Sequence, residues 1–118
     1  MEEKTLIKDK SFAFAVRAVK LYKHLNETKR EYILSKQFVR SATSIGANVR
    51  ESQNAESRAD FIHKLAIAQK EAGESVYWLE LLLATGYLSD SEFQSIHIDA
   101  VSVLKILTAI IKSTKNNR

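Results

Sequence analysis

No proline occurs at any of the 118 positions of this chain, and glycine occurs only three times. Tight turns in β proteins depend on glycine, asparagine or proline, so this shortage argues against an all-β fold. Long helices tolerate such a composition, because proline interrupts a helix and glycine weakens one. The length suits one domain with its own core. We therefore predict a single all-α domain over residues 1–118.

Apolar residues recur at helical spacing in four segments. Start signals and one stop signal separate these segments, namely Thr28 with Glu31, Ser57 with Asp60, Ser89 with Glu92, and Gly86. The predicted helices cover about residues 9–26, 29–53, 58–85 and 90–113. Because the connections are short, neighbouring helices should run antiparallel, which gives an up-down-up-down four-helix bundle.

Several classes of protein are disfavoured by what the sequence lacks. Without cysteine there is no disulfide, zinc-thiolate site or thiol nucleophile. There is no run of 18 apolar residues and no signal-peptide core at the charged N-terminus, so we expect a cytoplasmic protein with no membrane partner. Phosphate-binding glycine loops, nucleophile elbows and paired metal-binding histidines are also missing. We predict no enzyme activity, no metal and no cofactor.

The isolated acidic and histidine residues do not change this expectation. Asp60 and His63 have the carboxylate-x-x-His spacing of di-iron bundles, but it occurs once and falls off the predicted core stripe. Glu71 and Glu74 share a helix face, where we expect them to be solvated or paired with a lysine or arginine.

The charge of +4 is unevenly distributed. Residues 1–50 contain 11 lysines and arginines against five acidic residues, whereas residues 51–90 contain three against seven. When the helices are projected at 100° per residue, the basic residues fall on two stripes. One stripe consists of Lys10, Arg17 and Lys20 on the first helix. The other consists of Lys36, Arg40 and Arg50 on the second helix. Together they could form one surface that attracts phosphate backbones without reading sequence. The alternative is the ordinary solvated exterior of amphipathic helices.

The third helix has apolar residues on a second side, away from its predicted core stripe. That side contains Ile67, Glu71, Glu74, Trp78, Leu81 and Leu82. An aromatic residue surrounded by charge is typical of subunit interfaces, so we predict a self-association surface there. The alternative is a wide core stripe that contacts two neighbouring helices.

The segment RSATSIGANVRE, residues 40–51, resembles the Ser-Ile-(Gly/Pro)-Ala-Asn-(Ile/Val)-x-Glu box of bacterial four-helix-bundle proteins encoded in intervening sequences of 23S ribosomal RNA genes. A second segment is also similar to that family, through Ser57, Asp60, Phe61, Leu65, Ile67, Ala68, Glu71, Ala72, Glu74, Trp78, Leu79 and Gly86-Tyr87-Leu88. Ser52 departs from the family pattern, which usually has glycine after the glutamate of the box. Within the box, the Asn48 amide could fix the register of helices or subunits, or could contact a ligand.

The resemblance implies a homopentamer of four-helix bundles. It also implies nucleic-acid binding through basic residues, because a related branch, the accessory protein of diversity-generating retroelements, does this and partners a reverse transcriptase. Association with the ribosome has been proposed for the family from gene location.

Our hypothesis is a non-enzymatic homo-oligomer that binds RNA or DNA weakly through Lys10, Arg17, Lys20, Lys36, Arg40 and Arg50. The alternative is a protein–protein scaffold with no nucleic-acid role.

Overall fold

The structure, a computed structural model, describes residues 2–117, with side chains described for residues 5–117. Four helices occupy this range, and it contains no strand. They are α1 (Glu2–Glu27), α2 (Leu34–Ser52), α3 (Arg58–Ala84) and α4 (Asp90–Asn116). The all-α prediction is confirmed. The single-domain boundary at residues 1 and 118 lies outside the described residues.

The helices form a bundle in which each packs against two others. α1 contacts α2 and α4, and α3 contacts α2 and α4, so α1–α2 and α3–α4 form opposite sides of the molecule. The antiparallel order predicted from short connections is consistent with this packing. The core contains buried apolar residues from all four helices, including Phe14, Phe38, Leu79 and Leu107.

The start of α2 differs from the prediction. The Thr28–Glu31 capping box does not form, and α2 begins at Leu34 rather than near Lys29. The backbone instead turns at Arg30, with φ of 58°, and then enters α2. The Glu31 carboxylate accepts hydrogen bonds from the backbone N–H groups of three residues in this entry, Ile33 at 3.0 Å, Leu34 at 2.8 Å and Ser35 at 2.7 Å. Glu31 is therefore the cap, and it lies before the helix rather than in its first turn.

Two other helix ends extend further than predicted. α1 begins at Glu2 instead of near Asp9, and its Ile7 side chain is buried one turn before Ser11. α4 continues to Asn116 instead of ending near Ser113. The signals at the remaining ends are confirmed, because Ser89 and Glu92 form a reciprocal capping box and Gly86 has φ of 87°.

The core side of α3 is rotated from the stripe that helical spacing predicts, namely Phe61, Leu65, Ala68, Ala72, Val76, Leu79 and Leu83. Ser75 and Leu82 are fully buried, whereas Val76 and Leu83 are half-buried. Ser75 is polar, so a hydrophobicity pattern does not identify this side of α3 as part of the core. Two contacts in the structure explain its burial. The Ser75 hydroxyl lies 2.9 Å from the Ser41 hydroxyl of α2 and also donates to the Glu71 carbonyl. Placing Leu82 on an outward interface is therefore wrong, because its side chain is already 0% exposed within one protomer.

Among the described residues, α4 has the length and apolar composition of a membrane span. Core helices of bundles share this property. Seven α4 residues, including Ile96, Val103 and Leu107, are buried against the other helices. The apolar character of α4 is thus partly explained by the bundle core.

Candidate nucleic-acid interface

A groove runs between α1 and α2 on the outer surface of the bundle. The two helices approach closely where Gly46 faces Ser11, since a Cβ atom added at Gly46 would lie 3.6 Å from the Ser11 carbonyl oxygen. The groove has a volume of about 250 Å³. Its lining consists of Lys8, Ser11, Phe12, Ala15, Thr43, Gly46, Ala47 and Arg50. Two cations and no carboxylate line the groove in the part of the chain that the structure describes.

Arg50 and Phe12 meet at one end of the groove. The guanidinium carbon of Arg50 lies 5.8 Å from the centre of the Phe12 ring, within the range of a cation–π contact. Phe12 is nevertheless 58% exposed. Val16 and Val19 follow one and two turns later and are also exposed, so an apolar stripe of α1 borders the groove.

The basic residues of α2 face solvent. Lys36, Arg40 and Arg50 are all exposed. The Nη2 group of Arg40 donates to the Gln37 side chain at 3.3 Å. The single carboxylate within α2 belongs to Glu51, which pairs with Lys64 of α3 at 3.1 Å. The solvent side of α2 therefore keeps its positive charge.

Lys10, Arg17 and Lys20 lie on the α4 side of α1 instead. Arg17 forms an ion pair with Asp99 at 2.8 Å and donates to the Ser95 carbonyl and hydroxyl. Lys10 donates to Ser102 at 3.2 Å. Lys20 is exposed and lines a second groove, between α1 and α4.

The six basic residues selected from the sequence consequently form two groups. Of the α2 group, Arg50 lines the α1–α2 groove, whereas Lys10, Arg17 and Lys20 lie on the α1–α4 side. One continuous basic surface across both helices stays a prediction, although Lys10 and Arg17 have hydrogen-bond partners on α4. Helical periodicity placed each stripe opposite its core, but it could not show toward which neighbour each stripe turns.

Lys8 and Phe12 were missed as site residues. Lys8 precedes the predicted start of α1, and Phe12 could be assigned to the core from its hydrophobicity alone. The sequence did contain one signal, because Phe12, Val16 and Val19 repeat at helical spacing on a side distinct from Phe14 and Ala18.

The predicted interface residues of α3 differ in exposure. Ile67, Glu71, Trp78 and Leu81 are half-buried, and Glu74 is exposed. Burial and the neighbouring charge of Glu74 raise the pKa of Glu71, while Arg40 partly offsets the rise. The exposed Tyr77 ring contacts Trp78 edge to face, with 5.0 Å between ring centres. A role of these residues in self-association stays a prediction.

Asn48 is half-buried, and its amide nitrogen donates to the Ser44 carbonyl of the same helix at 2.9 Å. A buried polar pair, Ser41–Ser75, connects α2 to α3. The assignment of Asn48 to helix or subunit register stays a prediction. Within the described residues, no group of three or more histidine, aspartate and glutamate side chains could hold a metal ion.

Comparison with known proteins agrees with the resemblance seen in the sequence. The family model described as 23S rRNA-intervening sequence protein matches residues 3–109. A crystal structure of a protein of unknown function from the S23 ribosomal protein family of Bacteroides thetaiotaomicron VPI-5482 is 53% identical and superposes with a TM-score of 0.92. That match covers 93% of this chain and 98% of the other. No curated protein matches. Because the family model spans most of its length, this chain belongs to the 23S rRNA-intervening sequence protein family.

Proposed function

We propose that this protein is a non-enzymatic, self-associating helical bundle that binds the backbone of RNA or DNA without sequence preference. The proposed contact surface is the solvent side of α2 together with the α1–α2 groove. The observation that carries the proposal is the exposure of Lys36, Arg40 and Arg50 on a helix whose single carboxylate is paired elsewhere. Lys8 adds a fourth cation from across the groove.

The length of this surface suits a polynucleotide backbone. Arg50 follows Lys36 by 14 positions, which corresponds to about 21 Å along the helix axis. Cations spaced over that distance can contact several successive phosphates and release their counterions. Lys10 and Arg17 already bind α4 side chains, so we assign them a smaller part in phosphate contact than the α2 residues. Four contacts correspond to a slope of about −3 for log K against log salt on a single strand.

The test is a fluorescence anisotropy titration of a labelled oligouridylate at several salt concentrations. The variant Lys36→Glu/Arg50→Glu should bind at least about tenfold more weakly, because phosphate contacts are lost and the reversed charges repel the backbone. The matched control is Lys105→Glu/Lys112→Glu, which makes the same charge change at exposed positions of α4. Equal weakening by both variants would show that net charge, not the α2 surface, controls binding.

Self-association is proposed through the opposite side of the molecule, formed by α3 and α4. Tyr77 is 55% exposed and Ile98 is 64% exposed. The Gln69–Thr108 hydrogen bond sets the register of the two helices, which brings Tyr77 and Ile98 to a similar level. Gly73 lies one turn before Tyr77, and a Cβ atom there would meet nothing within 4 Å. In this proposal another copy covers Tyr77, with Trp78 beside it, and Ile98; a pentamer is the state that the family resemblance implies.

Light scattering coupled to gel filtration tests self-association. Tyr77→Glu/Ile98→Glu should lower the mass of the particle, because it puts charges into the proposed contact. The control is Tyr32→Glu/Ile33→Glu, the same two substitutions at exposed positions of the α1–α2 connection. A wild-type protein that runs as a monomer contradicts the proposal directly.

The family names direct the choice of partner to be tested first. The matched family is named for 23S rRNA, and the structural neighbour is assigned to a ribosomal protein family, so RNA precedes DNA in our proposal. A ribosome or a reverse transcriptase is the larger partner that the resemblance implies. A protein that self-associates but binds no nucleic acid at low salt would instead support the scaffold alternative.

A further inference from the structure

We propose that the α1–α2 groove holds an unpaired nucleobase on the Phe12 ring, so that the protein prefers single-stranded over double-stranded nucleic acid. This inference rests on the proposed function and specifies its substrate class. It depends on the combination of an exposed aromatic ring, two cations and a shallow floor of small residues in one groove.

Phe12 offers an exposed aromatic ring in the α1–α2 groove. Phe12 is 58% exposed although it lies on a helix of a well-packed bundle. Aromatic side chains on a basic surface stack with bases that are not paired, and every base offers a π face for this contact. The neighbouring Val16 and Val19 extend the apolar surface along the direction in which a strand would continue.

Two cations lie near Phe12 in the groove. Arg50 lies over the Phe12 ring, and Lys8 lies one turn before Phe12 on α1. A base stacked on this ring therefore has a guanidinium and an ammonium group within reach of its flanking phosphates. Arg50 also adds a cation–π contribution of its own.

The floor of the groove consists of small residues. Ala15, Gly46 and Ala47 have short or absent side chains, so a flat ring can approach the helices. The groove volume of about 250 Å³ is enough to admit a base. A duplex keeps its bases paired inside and can use only the cations of this surface. The preference for single strands follows from this difference.

The charges also argue against a symmetric contact between two copies at this groove. Such a contact would bring two Lys8 and two Arg50 side chains together, without a carboxylate from the groove to separate them. A contact with the acidic side of α3 in another copy is the competing possibility. It would make Phe12 part of an interface between protomers, and the test below includes that outcome.

The experiment measures the affinity of the full-length protein for oligouridylate and for an RNA duplex of equal length. Phe12→Ala should weaken single-strand binding at least about fivefold, because stacking on one base is lost, and should change duplex binding less than about twofold. Tyr32→Ala is the control, since it removes a similarly exposed aromatic side chain outside the groove. Phe12→Trp should retain affinity, and its added indole fluorescence should be quenched by oligouridylate beyond the quenching of Trp78 seen in the wild type.

The outcomes separate this inference from the proposed function. If the wild type binds both probes and Lys36→Glu/Arg50→Glu abolishes binding, but Phe12→Ala leaves the single-strand preference unchanged, only the stacking site is refuted. A lower particle mass for Phe12→Ala with unchanged affinity would also refute it, in favour of a protomer interface. If the wild type binds neither probe at low salt, the proposed function and the stacking site both fail.

Discussion

Replacing Glu31 by glutamine should destabilise the bundle, because this one carboxylate caps α2. Oε2 accepts from the N–H groups of Ile33 and Leu34, and Oε1 accepts from that of Ser35. Glutamine keeps one acceptor oxygen but turns an NH₂ group toward backbone donors, and it also removes the negative charge at the helix N-terminus. Loss of a cap costs about 1–2 kcal/mol, and an unpaired buried donor adds to that cost. We therefore expect a loss of about 2 kcal/mol.

The effect should depend on pH in a defined direction. Burial of Glu31 opposes its ionisation, but the hydrogen bonds from Leu34, Ser35 and Ile33 outweigh this and lower its pKa below the ordinary value of 4.5. A carboxyl group whose pKa is lowered by folding stabilises the folded state above its unfolded pKa, and this stabilisation is lost as the pH falls through the folded pKa. The difference between wild type and Glu31→Gln should be full at pH 7 and should shrink below pH 4.5.

Urea unfolding followed by circular dichroism measures this difference at pH 7 and at a series of lower pH values. Protein concentration is held constant, because self-association would itself shift the apparent stability. The control is Glu27→Gln, the same substitution at an exposed position in the last turn of α1. If Glu31→Gln is no more destabilising than Glu27→Gln, or if its cost is constant down to acid pH, the capping role is refuted.

Three further changes test other contacts. Ser75→Ala should lower the free energy of unfolding in urea by about 1 kcal/mol. The double change with Ser41→Ala should cost less than the sum of the two single changes, because the two hydroxyls share one buried contact. Strict additivity would argue against that contact. Gly73→Ala should stabilise α3 by up to about 1 kcal/mol, because alanine favours the helix and nothing lies within 4 Å of its new methyl group. A clear loss of stability in dilute protein would be inconsistent with an open position. Arg17→Ala should lower stability by about 1 kcal/mol and leave oligouridylate affinity nearly unchanged, because its guanidinium binds Asp99 and Ser95 of α4. A large loss of affinity would instead show that Arg17 belongs to the nucleic-acid contact surface.

The sequence predicts the helices well where periodicity and local signals agree. Ser89 and Glu92 begin α4 as expected, because a capping box depends only on residues three positions apart. Glu31 shows where such signals mislead. Its spacing from Thr28 has the form of a box, yet the carboxylate reaches forward to the next helix. The choice between these two arrangements depends on the backbone turn at Arg30, which the spacing does not reveal.

The surface is less predictable than the helices, because its composition depends on which helices are neighbours. Arg17 and Arg50 both lie opposite apolar stripes in the sequence, but one binds α4 and the other packs on Phe12. Leu82 is assigned to the outside by the same reasoning. In the structure it is fully buried, on the side of α3 that contains the Ser41–Ser75 contact. A helical wheel shows which side of a helix faces away from its own apolar stripe, but it does not show which neighbouring helix lies on that side.

Photocrosslinking tests the central claim most directly, because it reports where nucleic acid contacts the protein. Oligouridylate containing 4-thiouridine would be bound at low salt and irradiated, and the adducts would be located by peptide mass spectrometry. We expect adducts in the peptides that contain Phe12, Lys36 and Arg50, and their loss in Lys36→Glu/Arg50→Glu. Adducts confined to α3 and α4, or spread evenly over all four helices, would contradict the claim.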